Sequence, residues 1–321
     1  MAKLTYPTAG RYDTKYLLDG TVPVEGFELE FMGMGVLPWP LFRDMVTKLS
    51  YDIAEQAISH YLIALDQGKP LTAIPVFPSR FFPQQGTTVN KDSGIHSPAD
   101  LAGKRVAVCG FGYNPAAWMR GILENYYKVP VKEITWVVDG DNPFLEGLDY
   151  QPADGYKIEA VAGFTEELMT PKGVHKVAAL EDGRIDALIA PGGGAPTDGN
   201  TRRLFDNPKQ ELSEFVASTG IYPINTVMTL RQSTVDANPG LPAALMKAFN
   251  QVRGLYHDEL AEADGPGDHM GVSTAELTEM GVFPDQYGIE ANRTSLEAII
   301  GYCYEQGLIR TQFAVEELFC I

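Results

Sequence analysis

Residues 97–129, SPADLAGKRVAVCGFGYNPAAWMRGILENYYKV, decide the fold. Ser97 stands where a side chain caps a short helical turn, and RVAVC (105–109) is an apolar run of buried-strand length. GFG (110–112) turns the chain, and Asn114 with Pro115 reads as an N-cap followed by the first helical residue. Strand, glycine turn and helix in that order place backbone N–H groups at the carboxyl end of a strand, where an anion is favoured. A second unit, RIDALIAPGGGAP (184–196), runs an apolar strand into a glycine and proline loop that opens at Pro191. Two such strand-to-loop edges can face one crevice.

Working outward, AKLTYPTAG (2–10), FELEFMG (27–33) and LTAIPVFP (71–78) are strand-like, and YDIAEQAISHYLIALDQG (51–68) supplies a helical pattern between them. That alternation predicts an α/β protein with parallel strands. Downstream, IYPINTVMTL (221–230) reads as a strand, and NPGLPAALMKAFNQVRGLYHDEL (238–260) as an amphipathic helix introduced by Asn238 and Pro239. The last helix, NRTSLEAIIGYCYEQGLI (292–309), is capped by Asn292 or Thr294 and stopped at Gly307. Residues 139–173, rich in Asp, Gly and Pro, read as an irregular excursion. The sequence holds no internal repeat and no low-complexity tract.

At 321 residues and 45% hydrophobic content, the chain is of a size that divides into two lobes. No stretch reaches the roughly 18 consecutive apolar residues of a membrane span, and MAKLTYPTAGRYD has no apolar run of signal-peptide length. The three cysteines, Cys109, Cys303 and Cys320, form no CxxC. These features predict a soluble cytoplasmic protein with no membrane partner. Lys and Arg total 25 against 42 Asp and Glu, a net charge of -17 that repels phosphate backbones and excludes nucleic acid as a partner. The same field works against an anionic ligand, which must be captured by local arginines or helix N-termini. The five histidines show no HxxxH or HxH pair, so no protein-built metal site is expected.

The order SPADLAGKRVAV, helix, GRIDALIAP, strand and NPGLPAALMKAF helix resembles the type II periplasmic-binding-protein fold. Further matches narrow the resemblance: RYDTKYLLDGTVPVEGFELEF (11–31), YDIAEQAISHYL (51–62), IPVFPSRFF (74–82), AAWMRGILENYY (116–127), FPDQYGIEANRTSLEAIIGYCYEQGL (283–308) and VEELF (315–319). Taken together they resemble the 4,5-dihydroxyphthalate decarboxylases over nearly the whole chain. The resemblance implies two lobes, residues 1–88 plus 219–321 and residues 89–218, with the ligand in the cleft between them. It also implies a small aromatic carboxylate as partner and a carboxy-lyase chemistry that calls for no cofactor. Three positions depart from the family pattern. Pro83 and Gln84 stand where it usually places an Arg and a His, glycines 192–194 where it often places an Arg, and Asn225 near a common His.

Arg80, in VFPSR at a strand end, is the expected bidentate partner of a carboxylate, against the alternative of a structural ion pair. On that reading Arg80→Ala weakens ligand capture far more than Arg293→Ala. Tyr113 and Asn114 open a helix that can hold an anion or simply begin, and Gly192 and Gly193 allow close approach of a ligand or merely a turn. Arg11 and Tyr12 follow the first strand at its loop end, and Arg120 and Asn225 complete the expected binding set. Trp118 and Arg120, two apart on a helix, cannot both face the cleft. His60, since imidazole titrates near neutrality, or a tyrosine is the expected proton donor, against the alternative that His60 is a histidine hydrogen-bonded on a helix, and Glu55 is expected to orient a catalytic group or else to cap a helix. Asn292 and Arg293 are expected to fasten the C-terminal segment. A non-catalytic protein that binds or senses an aromatic acid in the same cleft is the alternative reading, and the oligomeric state stays open.

Overall fold

A computed structural model describes residues 3–33, 39–140, 145–161, 174–190, 194–197, 199–262, 268–269, 272–280 and 286–321. β1 (Leu4–Thr8) and β2 (Leu29–Gly33) pair in parallel with α1 (Lys15–Leu18) between them in the chain, and α2 (Trp39–Lys48) follows. The chain then passes straight from β3 (Ile53–Ala57) into α3 (Ile58–Asp66). YDIAEQAISHYLIALDQG is therefore a strand and a helix, not one helical pattern. Residues 52–64 are all buried, so apolar and small side chains recur on every side and neither period stands out.

After β4 (Leu71–Ile74) the chain enters a sheet built from β5 (Thr87–Asn90), β6 (Arg105–Ala107), β7 (Thr135–Asp139), β8 (Lys157–Val161), β9 (Ala187–Ile189) and β10 (Thr201–Arg203). Its order is β10-β5-β9-β6-β7-β8, with β8, β7, β6 and β9 parallel and β5 antiparallel to both of its neighbours. The supposed excursion at 139–173 thus contributes a paired strand. α4 (Asn114–Asn125) follows β6, and α5 (Val174–Glu181) precedes β9. α6 (Pro208–Thr219) ends at Gly220 with φ 67°, a left-handed stop that glycine adopts without strain.

The return strand β11 (Thr226–Arg231) lies antiparallel between β3 and β4, with Met228 opposite both Glu55 and Ile74. The parallel order expected for the first lobe holds for β1 and β2, while its three-stranded sheet is completed from the far half of the chain. α7 (Gln232–Ala237), α8 (Leu241–Glu262), α9 (Thr274–Glu279) and α10 (Arg293–Glu305) follow. The result is a two-lobed α/β architecture of the periplasmic-binding-protein type.

The core is continuous across the junction, where α3, α4 and α10 bring Tyr61, Trp118, Ile122, Leu296 and Ile300 into one buried cluster. Gly121 makes this possible, because a Cβ there would overlap the Tyr302 ring. Among the described residues no helix is long and apolar enough to cross a membrane.

Candidate active site

Two segments of the chain, around residues 79–80 and 224–226, lie side by side. Arg80 and Ile224 form an antiparallel bridge, and the N–H groups of Asn225 and Thr226 donate to the Ser79 carbonyl at 2.9 and 3.1 Å. On one side the β3-to-α3 turn meets them, with the Ile58 N–H donating to the Asn225 carbonyl at 3.0 Å. On the other side is the head of α4. This helix begins one residue earlier than expected: Tyr113 is its N-cap and Asn114 its first residue. Asn114 makes no cap bond. Its Nδ2 donates to Asn225 Oδ1 at 3.1 Å, and its Oδ1 accepts from the Ser59 N–H at 3.3 Å. Ser59 Oγ in turn donates to the Gly112 carbonyl at 3.1 Å, and Asn225 Nδ2 to Ser79 Oγ at 2.8 Å. Asn114 and Asn225 are thus drawn together in a polar strap that links the head of α4 to the start of α3 and the approach to β11.

The strap continues into the first lobe. Thr226 Oγ1 donates to Glu55 Oε1 at 2.6 Å, and Arg11 Nη2 donates to Glu55 Oε2 at 2.6 Å. Arg11 also forms a two-point pair with Asp13, through Nε at 3.1 Å and Nη2 at 3.0 Å. Burial works against the Arg11 charge, but Glu55 and Asp13 outweigh it and hold the guanidinium protonated. Nη1 keeps no hydrogen-bond partner among the described residues, and the side chain is 28% exposed. Glu55 is thus an orienting group for Arg11. Tyr12 donates its hydroxyl to the Pro78 carbonyl at 2.7 Å and rests on the Tyr256 ring.

The other two arginines are drawn into packing. Arg80 is only 4% exposed. It donates to the Tyr222 carbonyl at 3.1 Å and to Asn292 Oδ1, and it lies over the Phe77 and Tyr222 rings. The carboxylate partner expected for it is replaced by its own C-terminal segment. Arg120 is fully buried, bonded to Gln306 Oε1 at 2.8 Å and to the Phe111 carbonyl, and set between Phe111 and Trp136. Burial brings it down to about 10. Arg80→Ala is therefore expected to reduce unfolding stability by roughly 2 to 4 kcal/mol in urea denaturation and to leave ligand affinity of the folded protein within about threefold. Arg293 meets Glu290 and Glu316 at 2.6 Å on the surface, in keeping with a fastening role.

His60 is 1% exposed, and neither ring nitrogen has a hydrogen-bond partner among the described residues. Burial alone brings its imidazole down from 6.5 to about 4. The ring lies 6.5 Å from that of half-buried Tyr113, whose hydroxyl is pushed up by its surroundings and by neighbouring Cys109. The ring thus sits next to the strap and near the N-cap residue of α4.

Sequence reasoning missed a third group of residues. Parallel pairing of Ala107 with Val137 sets Cys109, two residues past the end of β6, beside Asp139, the last residue of β7. Lys176 in the first turn of α5 reaches the same edge, its Nζ 2.7 and 2.8 Å from the two Asp139 oxygens, with both side chains buried. Burial raises the Asp139 carboxyl, Lys176 opposes it, and the Cys109 thiol is pushed up to about 12. Gly192 and Gly193 lie outside the described residues. Neighbouring Gly194, with φ 78°, closely approaches its own chain, since a Cβ there would stand 2.9 Å from the Gly86 carbonyl. Among the described residues no three His, Cys, Asp or Glu side chains gather as a metal site.

A protein of Comamonas testosteroni named 4,5-dihydroxyphthalate decarboxylase is 30% identical to this chain, in an alignment covering 99% of this chain and 97% of the relative. The chain belongs to the 4,5-dihydroxyphthalate decarboxylase family. A second protein of that name, from Pseudomonas putida, is 32% identical over 54% of this chain and 65% of its own length. The family model described as NMT1/THI5 like matches residues 43–165, which include β3, α3, β6 and α4 of this chain. Among solved structures, the periplasmic aliphatic sulphonate binding protein SsuA from Escherichia coli superposes with a TM-score of 0.54 at 14% identity, over 99% of this chain and 91% of that one. That likeness concerns the fold.

Proposed function

We propose that this chain is a decarboxylase of a hydroxylated aromatic carboxylic acid, with 4,5-dihydroxyphthalate, the compound in the relatives' name, as the first substrate to test. The observation that carries this reading is His60, a fully buried imidazole with both nitrogens unpartnered among the described residues, where the two lobes meet. In the proposal, residues 1–88 plus 219–321 form lobe I, residues 89–218 form lobe II, and the acid lies along the crossings.

Loss of carbon dioxide discharges a carboxylate, so a permanent cation on the departing group would stabilise the ground state more than the transition state, whereas an acid that gives up its proton in the same step does not. Arg11 therefore holds the carboxylate that stays, through Nη1, with Asp13 and Glu55 fixing the guanidinium plane. The departing carboxylate lies in the less polar region beside His60. A ring hydroxyl donates electron density, His60 protonates the carbon bearing that carboxylate, the carbon–carboxylate bond breaks, and aromaticity returns as carbon dioxide leaves. The chemistry calls for no redox group.

A panel of hydroxybenzoates and hydroxyphthalates, followed by carbon dioxide release and ring absorbance beside a thermal-shift assay, tests this reading. Turnover of at least one acid is expected. Thermal stabilisation without turnover would overturn it in favour of a binding or sensing protein. The three departures from the family's basic pattern, at Pro83 and Gln84, glycines 192–194 and Asn225, are what recommend that alternative.

A further inference from the structure

The reaction consumes a proton, yet the imidazole meant to supply it rests in surroundings that keep it neutral. A neutral imidazole giving up its remaining N–H proton would become an imidazolate, which is not a workable acid near neutral pH. The proton must therefore be loaded before the chemical step. Charged groups on the elements packed around α3 are drawn into other contacts, although Nη1 of Arg120 keeps no partner among the described residues. Glu55 of β3 is held by Arg11 and Thr226, Arg120 of α4 by Gln306 and Phe111, Glu316 by Arg293, and Glu317 by the Ala314 N–H. Tyr113 at the head of α4 and Tyr302 and Cys303 of α10 have their acid groups pushed up by burial, and so are neutral near pH 7. Among the described residues neither nitrogen of the buried ring has a partner, so a charged ligand is the partner it lacks.

We propose that the aromatic dicarboxylate and one proton enter this site together: the ligand's charge converts His60 to imidazolium, so capture of substrate also loads the acid. The inference rests on the reading of His60 given above and adds the coupling of ligand capture to proton uptake. The charges balance. A dianion and one proton yield carbon dioxide and a monoanion, and the ring returns to neutral when its proton passes to carbon. The product carries one negative charge fewer, so it supports the imidazolium less and binds less tightly than the substrate.

Phthalate, which lacks the ring hydroxyls that decarboxylation requires, serves as a ligand that is not turned over. Isothermal titration at about pH 7, in buffers of different ionisation enthalpy, should show uptake of about one proton per phthalate, and affinity should weaken about tenfold from about pH 6 to about pH 7. His60→Asn, or His60→Gln should the first variant not fold, should bind phthalate with neither proton uptake nor that slope. Buffer-independent heats in the wild type, uptake persisting in the folded variant, or no binding at millimolar phthalate would each overturn the proposal. Were 4,5-dihydroxyphthalate bound with proton uptake but never decarboxylated, the coupling would stand and the decarboxylase reading alone would fall.

Discussion

His60→Leu is expected to raise the melting temperature of this protein and to lower its decarboxylation rate by about a thousandfold. Both changes have one cause. The imidazole is buried with two nitrogens unpartnered among the described residues, and each unmade hydrogen bond in such a place costs about 1 to 3 kcal/mol. A leucine of similar size removes the polar atoms and fills the space, and each kcal/mol gained is worth about 2 to 4 °C in a domain of this size class. Removing a positioned general acid ordinarily costs a factor of about 10² to 10⁴.

The gain has a signed pH dependence. In the folded protein the ring titrates near 4 rather than 6.5, so between those values the unfolded chain binds more protons and stability falls as the pH is lowered. The slope reaches at most about 1.4 kcal/mol per pH unit. The leucine variant lacks this contribution, so its advantage should grow from pH 7 towards pH 4 in scanning calorimetry. A variant less stable than the wild type at every pH would mean that the ring is satisfied in the folded protein.

Lys176→Met should cost about 3 to 5 kcal/mol of unfolding stability, because it leaves the Asp139 carboxylate buried without its cation. The Asp139 carboxyl is already raised by burial with Lys176 opposing, and loss of the lysine removes that opposition. A carboxyl whose folded value lies above its unfolded one loses stability as the pH rises, so the single variant should recover near pH 4 and be weakest above pH 6. Lys176→Met combined with Asp139→Leu should regain most of the loss, since an apolar pair can replace a buried ion pair at little cost. Urea denaturation of the wild type, the single and the double variant decides the matter. Equal destabilisation of the single and double variants would show that packing at this edge, and not the uncompensated charge, sets the cost.

What could be read from the sequence followed physical range. The strand, glycine turn and helix around residues 105–125 are local, and their signals appear in the chain within a few residues of where they act. The boundary between β3 and α3 is local too, but continuous burial from 52 to 64 erased the periodicity that would have marked it. Arg80 shows the opposite limit. A guanidinium at a strand end looks the same in sequence whether it meets a ligand or Asn292, and its partner lies 212 residues away. Arg11 was expected at the site, but its partners Asp13 and Glu55, and Thr226 behind Glu55, come from three separate stretches of the chain. Cys109, Asp139 and Lys176 carried no motif, and only the parallel register of β6 and β7 brings the first two to one edge. His60 was legible as a candidate, but its unpartnered nitrogens are a property of the packed interior and have no counterpart in the sequence.

The most direct test of the account is to incubate the protein with 4,5-dihydroxyphthalate in deuterium oxide and analyse the product by mass spectrometry and proton NMR. Proton transfer to the ring carbon predicts one carbon dioxide per substrate and 3,4-dihydroxybenzoate carrying a single deuterium at the vacated position, with both lost in His60→Leu. Recovery of bound but unchanged 4,5-dihydroxyphthalate, or product formed at an undiminished rate by folded His60→Leu, would contradict it.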